Sequence, residues 1–104
     1  MIDFGLAPLS RICAELGARL RTQRLAQLVS QAELAQRAGV SAGTIKNIEN
    51  KGQASLESIV RVAQALNLSH ELQGLFAMNI GSIADMEKAE MASRRHRAPA
   101  KAAR

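Results

Sequence analysis

In the stretch SAGTIKNIEN, residues 41–50, a hydroxyl, an ammonium and two carboxamides stand close together in Thr44, Lys46, Asn47 and Asn50. At helical spacing Ala42, Gly43, Lys46, Asn47 and Asn50 share one face, while Ile45 and Ile48 fall on the opposite one. The chemistry on offer is hydrogen bonding. A carboxamide presents a donor beside an acceptor, a lysine donates as a cation, and a threonine hydroxyl does either. Bond-breaking chemistry has no candidate. No nucleophile stands with a base, no carboxylates pair up, and no glycine loop is built for phosphate. Cys13 is the single cysteine, and His70 and His96 lie far apart, so no disulfide or metal-ligand spacing exists. Cys13 is expected as a small, half-buried apolar residue. The reading is of a protein that is not an enzyme and needs no cofactor.

Such a face must be held by neighbouring elements. Pro8 and Ser10 can start a first helix whose Ile12, Leu16, Leu20 and Leu28 keep helical spacing, which predicts a helix to about Leu28. Ser30-Gln31-Ala32-Glu33 forms a capping box and opens a second helix. Gly39 closes it within about two turns by taking a left-handed backbone. Ser41 then caps a third helix. Asn50-Lys51-Gly52-Gln53 is a loop by composition. Ser55 caps a fourth helix with Leu56, Ile59, Val60, Ala63 and Leu66 on one face, ended near Asn67. A brief fifth helix from Ser69 presents Leu72, Leu75 and Phe76, and the core is expected to close around Phe76. Ser82-Ile83-Ala84-Asp85 is a weaker capping box before a short amphipathic helix carrying Ile83, Met86 and Ala89. No strand pattern or internal repeat is present, so the fold class is all-α.

The second and third helices can cross steeply around their short turn only where bulk is small, and Ala35 and Gly39 supply that. Leu34, Ala38, Val40, Ile45 and Ile48 then face inward. This is helix-turn-helix geometry. Gln31, Leu34, Ala35, Gly39, Val40, Ser41, Thr44, Ile45 and Glu49 stand at the spacing of the Cro/C1-type (XRE) helix-turn-helix family, which this chain resembles. The resemblance runs from about Leu16 through Phe76, including LGARLRTQR before the motif and SLESIVRVAQALNL after it. It implies a five-helix, lambda-repressor-like DNA-binding domain, to which this chain adds a short C-terminal helix and a basic tail.

The resemblance also implies where DNA would touch. The third helix would enter the major groove with Ala42, Gly43, Thr44, Lys46 and Asn47 nearest the base edges. Asn47 can make the paired contact to adenine, Lys46 can donate to guanine or phosphate, and Thr44 can bond base or backbone. Ala42 and Gly43 depart from members that carry glutamine or arginine there. Ala42 can still touch a thymine methyl, and Gly43 fits either close approach or an exposed site without demand. Gln31 at the start of the second helix would anchor a phosphate, with Arg21, Arg37, Lys51, Gly52 and Ser55 clamping others. Arg24 and Glu49 occupy positions that often form a buried or half-buried ion pair in the family.

Charge is distributed unevenly. Residues 1–93 hold equal numbers of basic and acidic groups, so the net +5 belongs to Arg94, Arg95, Arg97, Lys101 and Arg104. Within the neutral part, residues 1–56 are basic and 57–93 acidic. The 104 residues suit one modest core. We divide the chain into an N-terminal segment (1–10), the helix-turn-helix domain (11–77), an amphipathic extension (78–93) and a basic disordered tail (94–104). The tail suits a solubilising end or a DNA-tracking arm equally. No apolar run approaches membrane-span length and no signal peptide is evident, so a cytoplasmic protein is expected.

One helix-turn-helix reads too few bases to find a single genomic site, so the expected partners are double-stranded DNA and a second copy of the chain on a palindromic operator. Leu75, Phe76, Met78, Ile80, Ile83 and Met86 are the candidate dimer or partner interface. The resulting expectation is a dimeric transcriptional repressor. The alternative rests on LQGLFAMNIGSIADMEKAEMASRRHR, which is similar to the ends of HipB-like antitoxins. It implies an antitoxin that neutralises a HipA-type kinase toxin while repressing its own operon.

Overall fold

A computed structural model describes residues 2–78 and 83–102 as six helices: α1 Leu9–Ala26, α2 Gln31–Ala38, α3 Ala42–Lys51, α4 Leu56–Ala65, α5 Ser69–Gln73 and α6 Ile83–Ala102. The fold is all-α, with no strand among the described residues. Its core is Val29, Leu34, Ala35, Ala38, Ile45, Ile48, Val62 and Leu66, with Leu20, Val40, Ile59, Ala65 and Leu68 packed around them. These side chains come from α1 through α4 and their connections, so the core sits directly behind α2 and α3.

Local chemistry sets the ends of the central helices. The Ser30 hydroxyl accepts from the Glu33 N–H at 3.0 Å, and the Glu33 carboxylate accepts from the Ser30 N–H at 3.3 Å, completing the capping box. Gly39, at φ +71°, closes α2 while the Val40 N–H donates back to the Ala35 carbonyl at 3.0 Å. Replacing Ser30 by Ala removes the cap acceptor from a helix of only eight residues. We expect a loss of about 1 kcal/mol in unfolding free energy, read as a lower urea midpoint with unchanged slope.

Several boundaries differ from the sequence expectation. α1 stops at Ala26 because Leu28 takes φ +58°, and the Val29 N–H bonds to the Arg24 carbonyl at 3.3 Å. That left-handed step turns Leu28 outward to 91 % exposure and carries Val29 into the core in its place. α4 closes in the same way on Asn67, at φ +61°, with the Leu68 N–H on the Ala63 carbonyl at 2.8 Å. In α4 Val62 is fully buried, whereas Leu56, in the first turn, is exposed.

The core does not close around Phe76. α5 ends at Gln73, Phe76 adopts φ +59°, and its ring stands 94 % exposed. Leu75 is also exposed, and Leu72 alone of that trio is half-buried. The weaker capping residue Ser82 and the interface candidate Ile80 lie outside the described residues. α6 continues through residue 93 to Ala102, so the backbone does not break where the basic tail was expected to begin. Alanine, glutamate, lysine and arginine, which fill much of this segment, are all good helix formers. Glu90 and Arg94 add an i,i+4 ion pair at 2.6 Å.

Before α1 the chain folds back on itself. Asp3 accepts from the Gly5, Leu6 and Ala7 N–H groups, and the Arg19 guanidinium sits 5.1 Å from the centre of the Phe4 ring.

Candidate nucleic-acid interface

α3 is anchored at both ends and through one face. At its start the Ser41 hydroxyl accepts from the Thr44 N–H at 3.0 Å and shares a hydrogen bond with the Thr44 hydroxyl at 2.9 Å. Ile45 and Ile48 are buried in the core. At its end Gly52, at φ +67°, caps the helix with its N–H on the Ile48 carbonyl at 2.8 Å. The opposite face is bare: Ala42, Gly43, Lys46, Asn47 and Asn50 are exposed, and Thr44 is half-buried beside Ser41.

A charged network lies at the back of this helix. Arg24 Nε donates to Glu49 Oε2 at 2.7 Å and Arg24 Nη2 to Glu49 Oε1 at 2.9 Å, a two-pronged pair with both residues buried. Arg24 Nη1 donates to the Val29 carbonyl at 2.8 Å, and Gln31 Nε2 donates to Glu49 Oε1 at 3.0 Å. Arg21, largely exposed, brings Nε to 3.9 Å from the same carboxylate. One carboxylate thus ties the end of α3 to α1 and to the first residue of α2.

The ionisation of the pair follows from these contacts. Burial pushes the Glu49 carboxyl upward, but the hydrogen bonds from Arg24 and Gln31, with the charges of Arg24 and Arg21, together hold it below its ordinary value. The hydrogen bond to Glu49 raises the Arg24 guanidinium further, against the opposing effect of burial. Both groups are charged at neutral pH.

α1 and α3 also cross at backbone distance. A Cβ on Gly17 would lie 1.9 Å from the Ile48 carbonyl oxygen, and one on Gly52 would lie 1.9 Å from the Cys13 carbonyl oxygen. Gly52 therefore has a structural task besides any contact outside the protein. Gly17 is the residue that the sequence reading passed over. An isolated glycine inside the apolar-periodic LGARL was the available signal of close backbone approach.

The model of the helix-turn-helix family HTH_3 matches residues 20–73, more than half of the chain. This protein belongs to the Cro/C1-type (XRE) helix-turn-helix family. It is a DNA-binding regulator. A comparison with curated proteins gave no match. The matched span opens at Leu20 and closes at Gln73, the last residue of α5, so α1 before Leu20 and all of α6 lie outside it.

In this helix-turn-helix protein the expected phosphate contacts are not all equivalent. Arg21 and Gln31 converge on Glu49 beside the start of α2. Lys51 is the exposed last residue of α3. The Ser55 hydroxyl serves as the cap of α4, accepting from the Ser58 N–H at 3.1 Å and bonding the Ser58 hydroxyl at 3.0 Å. Arg37, in the last turn of α2, lies 3.9 Å from Glu33. Among the described residues no helix is long and apolar enough to cross a membrane, and no cluster of His, Cys, Asp or Glu could hold a metal ion.

Proposed function

We propose that this protein is a sequence-specific repressor that binds a palindromic operator as a two-fold dimer, with α3 in the major groove. The observation that carries this reading is the bare outward face of a helix fixed at both ends. Asn47 makes the paired contact to adenine, and Lys46 and Thr44 bond a neighbouring base or phosphate. Gln31, Arg21, Arg37, Lys51 and Ser55 hold the sugar-phosphate backbone and set the register, while Gly52, whose N–H is engaged by the Ile48 carbonyl, shapes the turn beside them. The exposed side chains of Leu75, Phe76, Met78, Ile83 and Met86 support an interface with a second copy. Two helix-turn-helix units then read two half-sites about one helical turn apart.

The test begins by enriching duplexes that the chain binds from a pool of random sequence. Asn47→Ala is expected to lose about 5- to 150-fold in affinity for the enriched duplex while binding a scrambled duplex as before. The logarithmic salt dependence of binding should steepen by about 0.9 for each phosphate contacted. Failure to enrich any sequence, or a chain that sediments as a monomer at micromolar concentration, would overturn the dimeric repressor.

The same exposed apolar run favours one second reading, an antitoxin whose chain end covers part of a kinase-like toxin. Co-purification with the product of an adjacent kinase-like gene separates it from the repressor alone.

A further inference from the structure

We infer that the basic half of α6 is a second, sequence-independent contact with duplex DNA, made along the sugar-phosphate backbone. This contact requires only that the protein binds DNA, and not that α3 reads a particular site. α6 is a helix of 20 residues outside the span matched to the family, and none of the core residues comes from it. Its charge is sorted along its length. Asp85, Glu87 and Glu90, with Lys88 among them, occupy the first half. After Glu90 the chain has no acidic residue, while Arg94, Arg95, Arg97, Lys101 and Arg104 follow. Arg94 and Arg95 are exposed.

The helix satisfies only part of this charge. Glu90 pairs with Arg94 at 2.6 Å across one turn. Three and four residues before Arg95 stand Ala92 and Met91, before Arg97 stand Arg94 and Ser93, and before Lys101 stand Ala98 and Arg97. None of these is a carboxylate and none follows, so the i,i+3 and i,i+4 pairs that stabilise an exposed helix are closed to all three cations. Arg94 with Arg97, and Arg97 with Lys101, instead set like charges at those spacings, which disfavours the helix. The helix dipole favours cations in the last turn, which holds Lys101 but neither Arg95 nor Arg97. The demand for this cluster is therefore a polyanion. At helical spacing residues 94, 97 and 101 form one row along the axis. At 1.5 Å per residue the row covers about 10 Å, over which duplex DNA carries about six phosphate charges. Composition decides against a membrane surface. From residue 92 onward the basic groups are accompanied only by alanine, serine, proline and histidine, with no large apolar side chain to enter a lipid layer. Phosphate contacts carry no base information, so α6 adds affinity and salt dependence without adding specificity.

The experiment compares wild type with the full-length triple variant Arg95→Gln, Arg97→Gln and Lys101→Gln, glutamine being an uncharged helix former. Affinity for a duplex enriched by the wild-type chain and for a scrambled duplex of equal length is measured across salt concentrations, with phosphatidylglycerol vesicles as a parallel arm. The variant should lose affinity for both duplexes by the same factor. Its logarithmic salt slope should be shallower by about 0.9 for each phosphate released, or about 2.7 for all three. Its melting temperature should match the wild type. An unchanged slope on both duplexes overturns the contact by α6 and leaves the reading of α3 standing. Loss on the enriched duplex alone also overturns it, because α6 would then be reading bases. If the wild type enriches no duplex, the reading of α3 falls, while the slopes on the scrambled duplex still decide for or against α6. Loss of vesicle binding with an unchanged duplex slope would assign the cluster to a membrane, and a lower melting temperature would assign it to the fold. Either result overturns the DNA contact.

Discussion

Glu49→Ala is expected to lower the unfolding free energy by about 3–5 kcal/mol, measured by urea denaturation at neutral pH. The loss exceeds anything the ion pair itself contributes. With Glu49 gone, the Arg24 guanidinium remains buried with two of its three hydrogen bonds broken, and only the Val29 carbonyl still accepts from it. Gln31 loses its partner in the same step. A double variant, Arg24→Met with Glu49→Leu, separates the two contributions. It should recover most of the stability, because the cost lies in stranding one charge. Equal losses in the single and double variants would contradict that account.

The same carboxylate sets the acid limb of stability. Glu49 is held below its ordinary value of 4.5 in the folded protein. A carboxyl with a depressed folded pKa adds stability that is complete above the unfolded value and is lost as pH falls through the folded value. Stability should therefore fall below about pH 4.5 in the wild type, and this part of the fall should vanish in Glu49→Gln.

What the sequence made legible was local. The capping box at Ser30, the turn at Gly39 and the inward set Leu34, Ala38, Ile45 and Ile48 depend on residues within a few positions of one another, and the structure places them as expected. The Arg24–Glu49 pair spans 25 positions, and no periodicity connects its ends, so it was reachable only through family resemblance. The exchange of Leu28 for Val29 was hidden for another reason. Both are apolar, and nothing in a leucine announces a left-handed backbone, yet that single dihedral decides which of the two enters the core. Phe76 failed likewise: a large aromatic near the end of a domain reads as a core plug, but a left-handed turn after α5 points it outward.

Gly17→Ala tests the part of the structure that sequence reasoning did not find. Helix propensity alone says that alanine in the middle of an 18-residue helix should add about 1 kcal/mol of stability. The crossing says the reverse, because the new methyl would lie 1.9 Å from the Ile48 carbonyl oxygen, and backbone cannot rotate away as a side chain can. We expect a net loss of about 1–3 kcal/mol, or a melting temperature lower by about 4–8 °C for each kcal/mol in a domain of this size. Gly52→Ala should fall further, since it adds a left-handed backbone strain of about 1–2 kcal/mol to a clash with the Cys13 carbonyl. The sign is what decides. A stabilised Gly17→Ala would mean that α1 and α3 do not meet at backbone distance. A destabilised one would mean that the packing of α3 against α1 depends on the missing Cβ at Gly17.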